Sequence, residues 1–163
     1  MSAIRQILIK KFGPADSLSP VWPFDQTGYY ASEMGQNLKR QFVSFARLGP
    51  AERLIKTKLT TNALEQKFSH PDRRRRVNID PGYVSLSKLV LATTKNYAHR
   101  IYVGKGIYEE ITLFYKERGF QPAPWTYPDY RQETYIRFFN DVRTRYRQQI
   151  EKIHGPAQIS PSP

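Results

Sequence analysis

Residues 99–115 read HRIYVGKGIYEEITLFY, and this stretch decides the fold class. Runs rich in β-branched and aromatic residues stand on both sides of Gly104-Lys105-Gly106, a pattern typical of a β-hairpin with a short glycine-containing loop. We expect a strand on each side of the loop, with Val103 opposite Ile107. The hairpin predicts an antiparallel or mixed sheet as the centre of the protein.

Further helical and strand patterns lie on both sides of the hairpin. Residues 14–37 are rich in Pro, Gly and Tyr and are expected to be irregular, whereas 86–92 is apolar and fits either a short helix or a buried strand. The other predicted elements are a helix over 3–12, a strand over 41–45, a helix over 51–68 and a long amphipathic helix over 131–153. Helices packed on a sheet give an α+β fold.

The C-terminal helix has the clearest amphipathic pattern in the chain. Its apolar stripe consists of Tyr135, Phe139, Val142, Tyr146, Ile150 and Ile153. A chain of 163 residues suits one hydrophobic core, and no linker interrupts this sequence. We therefore expect a single α+β domain over 1–154 and a disordered tail over 155–163.

The charge is strongly positive and unevenly distributed. The formal net charge is +12, and residues 39–76 alone hold eleven basic and three acidic residues. This segment includes the basic run Arg73, Arg74, Arg75 and Arg76. Such a concentration predicts a surface for an anionic partner, either RNA or a nucleotide.

Several absences narrow the chemistry. The chain has no Cys, which excludes disulfides, thiolate nucleophiles and Cys-based zinc sites, and suits a reducing cytoplasm. No apolar run approaches the ~18 residues that span a bilayer, so we expect a cytoplasmic protein with no membrane partner. The three His residues are too scattered to predict a metal centre, and no motif assigns a cofactor.

Five segments of the chain resemble a bacterial family. They read SPVWPFDQTGYYASEMG (19–35), KLTTNALE (58–65), RRVNIDPGY (75–83), LVLATTKNYAHRIYVGKGIYEEITL (89–113) and PWTYPDYR (124–131). In this order they are similar to the domain-of-unknown-function family numbered four-four-one-six, over about residues 12–146. The resemblance implies a bacterial, cytoplasmic protein and supplies no mechanism.

Some members of that family carry the label GTP-binding protein, to which this sequence gives little support. It contains neither a GxxxxGK[ST] phosphate-binding loop nor an Asn-Lys-x-Asp string for guanine. Family members also have a hydrophobic strand before the first helix, where this chain starts directly at the helix. A missing strand would leave an open sheet edge through which the protein could form an oligomer.

His99 and Glu109 are the sharpest candidates for catalysis. In the expected register Glu109 shares a strand face with apolar residues, and a carboxylate there is unfavourable unless it is paired or functional. His99 is its diagonal cross-strand neighbour, ~7–8 Å away between backbones, so the pair could serve as general base and orienting acid. The alternative is that the other face, which includes Glu110, is buried and Glu109 lies in water.

Candidates for ligand binding lie on the second helix and before the hairpin. Lys58, Asn62 and Glu65 share one helical stripe, which either lines a polar cleft or forms a solvated helix face with local charge pairs. Lys95, His99 and Arg100 form a small cationic group near Asn96, in which an anion could sit.

Asn78, Asp80 and Tyr83 surround a Pro-Gly turn, in which Gly82 is expected to adopt the positive φ of a type II turn. Asp80 either hydrogen-bonds its own turn or binds a ligand. With Asp25 and Glu33 it could also hold a divalent cation through oxygen atoms, although no metal-binding spacing is present.

An aromatic and basic cluster precedes the C-terminal helix. Trp125, Tyr127 and Tyr130 stand beside Arg131, and such a cluster either stacks a base or packs within the protein. Asp129 is expected to be the N-cap of the helix. We count Tyr127 among the ligand-binding candidates.

Three functions fit these observations. The sequence favours a module that binds an anionic, phosphate-bearing ligand (RNA or a nucleotide) through a basic face. The first alternative is an enzyme that acts on a nucleotide or phosphoester with Glu109 and His99 in a polar pocket. The second alternative is a non-catalytic adaptor.

Overall fold

The computed structural model describes residues 2–24, 37–72 and 74–155. It confirms an α+β fold with antiparallel strands and a long C-terminal helix. The helices are α1 (Ser2–Phe12), α2 (Arg53–Lys67) and α3 (Glu133–His154), with a 3₁₀ turn at Pro128–Arg131. The strands are β1 (Ala15–Leu18), β2 (Trp22–Pro23), β3 (Lys39–Arg40), β4 (Val43–Phe45), β5 (Gly82–Val84), β6 (Lys88–Thr93), β7 (Ile101–Gly104), β8 (Ile107–Lys116) and β9 (Gly119–Pro122). The predicted disordered tail over 155–163 lies, except for its first residue, outside the described residues.

The main sheet is antiparallel, in the order β5-β6-β8-β7, and β9 also pairs with β8. Two small ladders, β1 with β4 and β2 with β3, lie earlier in the chain. The prediction that 14–37 is irregular is wrong for β1 and β2. These strands are short and pair with residues 16 to 30 positions later, so no local alternation marks them.

The hairpin is confirmed, but its register is only partly as expected. Ile101 lies opposite Glu109 as predicted, whereas Ile107 faces Gly104 instead of Val103. Lys105 and Gly106 both have positive φ, as a two-residue hairpin loop of the primed type requires. Gly104 therefore belongs to the strand, and Val103 is displaced at an irregularity in the ladder.

The other predicted elements differ from the structure mainly at their ends. Residues 86–92 form a buried strand and not a short helix, since β6 covers most of them. Asp129 is not the N-cap of α3, because Gln132 occupies that position and the 3₁₀ turn buries Asp129. A Pro at 128 favours this separate turn, since its fixed φ suits the first position of a helical turn.

Two apolar clusters place α2 and α3 on opposite faces of the sheet. Leu89 of β6 belongs to a cluster with Phe139 of α3, whereas its neighbour Val90 packs with Leu54 of α2. Successive side chains of a strand point to opposite faces, so the two helices enclose the sheet between them. The C-terminal end of β6 therefore lies between elements that pack on the two faces of the sheet.

Gly82 does not adopt the predicted positive φ, because it opens β5 opposite Leu91 rather than closing a type II turn. A Cβ placed there would lie 2.4 Å from the Val90 carbonyl oxygen. We expect Gly82→Ala to lower the free energy of unfolding, measured by urea denaturation, by ~1–3 kcal/mol because backbone must move. Gly119→Ala is the control, since its Cβ would meet nothing nearer than 3.8 Å. Equal losses in the two variants would contradict the packing argument.

Candidate functional site

A cleft of about 960 Å³ opens at the C-terminal end of β6. One wall is the C-terminal half of α2 together with the loop that follows it, and the floor is the end of β6. The other wall comes from the segment before the hairpin, from the 3₁₀ turn and from β3. The cleft-lining residues are Phe24, Arg40, Lys58, Asn62, Glu65, Gln66, Ser69, His70, Arg75, Asn78, Asp80, Leu91, Ala92, Thr93, Thr94, Lys95, Tyr97, Arg100, Glu110, Tyr127, Asp129 and Tyr130.

Most of the ligand-binding candidates predicted from the sequence meet in this cleft. Those that line it are Lys58, Asn62, Glu65, Asn78, Asp80, Lys95, Arg100 and Tyr127. Of the predicted anionic-partner surface Arg75 lines the cleft, Arg74 and Arg76 do not, and Arg73 lies outside the described residues. Asp25 and Glu33 also lie outside them, so the cation site they were to form with Asp80 stays a prediction. The binding roles of all these residues remain predictions too.

Lys58 anchors the α2 wall. Its side chain is 7% exposed, and its ammonium group lies 3.3 Å from Asp80 Oδ1 and 3.4 Å from the carbonyl oxygen of Ile79. Asp80 also accepts a 2.6 Å hydrogen bond from the side-chain amide of Asn78. Asp80 therefore bonds to α2 as well as within its own loop.

Glu65 joins the same network two turns of α2 further on. Its carboxylate accepts a 2.6 Å hydrogen bond from the backbone N–H of Ile79 and lies 3.8 Å from Arg75. Burial raises the pKa of Glu65, while the Ile79 N–H and the cations of Lys58 and Arg75 act in the opposite direction. The helical stripe predicted from spacing is thus a cleft wall and not a solvated face, since Lys58 and Glu65 are both buried.

Glu110 organises the opposite wall. Its Oε2 accepts a 2.8 Å hydrogen bond from Arg100 Nε and lies 3.1 Å from His99 Nε2. The Arg100 and Glu110 side chains are only 3% and 4% exposed. Burial alone would lower the pKa of Arg100, but hydrogen bonds to Glu110 and Tyr127 raise it, so the guanidinium stays charged.

The predicted pairing of His99 with Glu109 is wrong. His99 precedes β7 and contacts Glu110, the neighbouring carboxylate on the other face of β8. Neither His99 nor Glu109 lines the cleft. Glu109 is half-buried, and this burial raises its pKa. Of the alternative, in which the face with Glu110 is buried and Glu109 lies in water, the structure bears out the burial of Glu110 and Thr112, whereas Glu109 is half-buried and not in water.

Sequence reasoning missed a second ion pair, between the half-buried Arg40 and the buried Asp129. These residues are 89 positions apart, and their side chains are in direct hydrogen-bonding contact. The Arg40 guanidinium also lies 3.9 Å from the centroid of the Phe24 ring. The predicted role of helix N-cap already accounted for an Asp at position 129. The one sequence signal for another role of Asp129 was its position next to an aromatic cluster.

Aromatic rings form the rim of the cleft. Tyr97 and Tyr127 line it and are both exposed. The Arg100 guanidinium lies 4.6 Å from the centroid of Tyr97 and 3.3 Å from the hydroxyl oxygen of Tyr127. Planar ligands can stack on such rings, because every aromatic face is apolar and polarisable.

The charges of the cleft are largely paired. Each acidic side chain of the lining lies next to a cation, in the pairs Lys58 with Asp80, Arg75 with Glu65, Arg100 with Glu110 and Arg40 with Asp129. Lys95 and His70 add further basic groups to the lining. Within 2–24, 37–72 and 74–155, the side-chain amides of Asn62 and Gln66 make no hydrogen bond, which leaves donors and acceptors for a ligand.

Within the described segments, no group of three or more His, Asp or Glu side chains is placed to hold a metal ion. The described helices also include none with the length and apolar character needed to cross a membrane.

The fold and the cleft together define an α+β protein with a polar, mixed-charge pocket edged by aromatic rings. A family model described as Domain of unknown function (DUF4416) matches residues 1–146. The chain belongs to this family, as the sequence resemblance implied. Comparison with curated proteins and with solved structures gave no match.

Proposed function

We propose that the cleft binds a nucleotide-sized, phosphate-bearing ligand. The observation that carries this proposal is the meeting of cations, amides and aromatic rings around one cavity. Arg75 and Lys95 supply cations for phosphate oxygens, and Tyr97 with Tyr127 supplies faces for a base.

The size of the cleft supports a ligand of this class. Pockets for small molecules and cofactors enclose ~300–1,000 Å³, and this cleft lies near the upper end at about 960 Å³. A bare phosphate would leave most of that space to water. A nucleotide would occupy much more of it with groups that match the lining, because its sugar hydroxyls and base edge can hydrogen-bond to Asn62 and Gln66.

The ion pairs of the cleft support ligand binding because they hold the cationic side chains in place before a ligand binds. A buried carboxylate such as Glu65 keeps Arg75 in place, so the guanidinium is oriented before an anion arrives. Groups that are already ordered lose less entropy on binding, which favours affinity.

The test compares Arg75→Gln with Arg74→Gln, two neighbours in the same basic run. Arg75 lines the cleft, whereas Arg74 is exposed and bonds Asp72 outside it. With a panel of nucleoside triphosphates in calorimetric titrations, we expect Arg75→Gln to weaken binding about tenfold, since a charge-assisted hydrogen bond contributes ~1.5–3 kcal/mol. Arg74→Gln should change the affinity by less than about twofold. Equal effects, or wild-type binding that ignores salt, would reject the cleft as the site.

We place this activity in the bacterial cytoplasm. The absence of Cys suits a reducing compartment. Fractionation of cells that express the chain from its own promoter tests the location, and recovery with membranes or outside the cell would contradict it.

A further inference from the structure

Three aromatic rings are stacked in a row that starts at the cleft and ends outside it. The Tyr97 and His99 ring centroids are 6.0 Å apart, those of His99 and Trp125 are 5.6 Å apart, and both pairs are within 10° of parallel. Tyr97 lines the cleft, whereas His99 and Trp125 do not. The row therefore extends the rim of the cleft along the surface.

Ring nitrogen atoms of Trp125 and His99 contact hydrogen-bonding groups of the protein. Trp125 Nε1 donates a 2.8 Å hydrogen bond to the carbonyl oxygen of Ile111, and His99 Nε2 lies 3.1 Å from Glu110. Trp125 nevertheless remains 42% exposed, and Tyr97 is 54% exposed. An indole that is fixed at its edge cannot turn its face away from water, so this apolar surface is maintained in the absence of a ligand.

We infer that the ligand of the cleft is single-stranded nucleic acid, with one nucleotide in the cleft and the base of a neighbouring nucleotide stacked on Trp125. This inference rests on the function proposed above and extends it to a polymer. A mononucleotide in the cleft would not reach Trp125. A nucleic-acid strand that continues along the row would cover the exposed face of Trp125.

Charge and geometry favour a nucleic acid over a protein partner on this row. The chain has a net charge of +12, and the guanidinium of Arg100 lies 4.6 Å from the centroid of Tyr97 at the start of the row. Single-stranded nucleic acids are bound by basic grooves combined with aromatic faces on which successive bases stack. Such stacking tolerates any base, so little sequence preference is expected.

The test uses Trp125 as its own reporter. The chain has two Trp residues, so Trp22→Phe leaves Trp125 as the sole source of indole fluorescence. Phe is a conservative choice there, because the Trp22 ring packs against Phe42 and Tyr135. In this background we expect hexameric oligoadenylate to quench the Trp125 emission, and adenosine monophosphate to bind without quenching it.

Affinity measurements on variants complete the test. Stacking of one base contributes ~1–3 kcal/mol, so the oligonucleotide should bind at least about fivefold tighter than the monophosphate, and Trp125→Ala should abolish that advantage. Trp125→Phe keeps an aromatic face and should retain most of it. Tyr102→Ala is the matched control, since Tyr102 is 59% exposed on β7 but outside the row and the cleft.

The outcomes separate this inference from the proposed function. If the monophosphate binds the cleft but neither quenching nor Trp125→Ala distinguishes the oligonucleotide, the inference is overturned and the proposed function stands. If neither ligand binds, both fail. Self-association that depends on Trp125, seen by sedimentation without oligonucleotide binding, would assign the row to a protein interface and also overturn the inference.

Discussion

Glu110→Leu is expected to lower the free energy of unfolding by ~3–5 kcal/mol, because it leaves a buried cation without its partner. The Arg100 side chain is 3% exposed and donates its Nε–H to Glu110 at 2.8 Å. Folded proteins are stable by only ~5–15 kcal/mol, so the loss is a large fraction of the total and is measurable by urea denaturation.

Glu109→Leu is the matched control. The two carboxylates are adjacent on β8, but Glu109 has no ion-pair partner among the described residues, and burial raises its pKa. Its ionised form is therefore disfavoured by folding, so its removal should change the unfolding free energy by less than ~0.5 kcal/mol. A loss at Glu109 equal to that at Glu110 would contradict the assignment of the buried face.

A double variant isolates the ion pair from the rest of the site. Replacing both partners of a buried pair by apolar residues is often nearly neutral, whereas removal of one is not. Glu110→Leu combined with Arg100→Leu should therefore be more stable than Glu110→Leu alone. Additive losses would show that the two side chains contribute independently.

Lys58→Met is expected to weaken binding of a nucleoside triphosphate by about 30- to 100-fold. Removal of a buried charge from a site costs ~2–5 kcal/mol, much of it because the opposite charge is left unpaired. Here Asp80 would lose its cation and would repel an anion in the cleft. The methionine side chain keeps the packing of the lysine stem against the helix.

Two further measurements distinguish this effect from general damage to α2. Lys56→Met is the control, since Lys56 is exposed on the same helix and does not line the cleft; it should bind nucleotide within about twofold of the wild type. Lys58 also lowers the pKa of Glu65, so Lys58→Met raises that pKa further above its unfolded value. The variant's loss of stability should therefore shrink as the pH falls and Glu65 becomes protonated. Comparable binding by the two Met variants would remove Lys58 from the proposed site.

The cleft was predictable in part because one of its walls is local in sequence. Lys58, Asn62 and Glu65 share a stripe through the period of the α-helix, and a helix period can be read from spacing alone. Asn78 and Asp80 follow within a short loop. The aromatic rim was also visible as a cluster, although the stacking of Trp125 on His99 was not.

Lys95, Arg100 and Tyr127 of the opposite wall were candidates from the sequence, but their meeting was not predictable, because strand pairing over long distances brings these residues together. Arg40 contacts Asp129 only after β2 and β3 pair and the 3₁₀ turn packs near them. Nothing in the sequence between Arg40 and Asp129 indicates that their side chains come into contact. The same holds for Arg100 and Tyr127, which are separated by the whole of β8 and β9.

The sequence by itself determined the α+β class, the hairpin and the long C-terminal helix, because each depends on a local period or a local turn. The tertiary structure alone decided which carboxylate is buried. The β6–β8 ladder pairs Leu89 with Leu113 but Val90 with Ile111, so Thr112 is an extra residue in β8. Such a bulge reverses the alternation of side chains, and Ile107 and Leu113 consequently belong to different clusters on opposite faces. Under strict alternation Ile107 and Leu113 would share one buried face with Glu109, so the sequence pattern pointed to Glu109 as the buried carboxylate. In the bulged strand the buried carboxylate is Glu110, which lies next to His99 and Arg100.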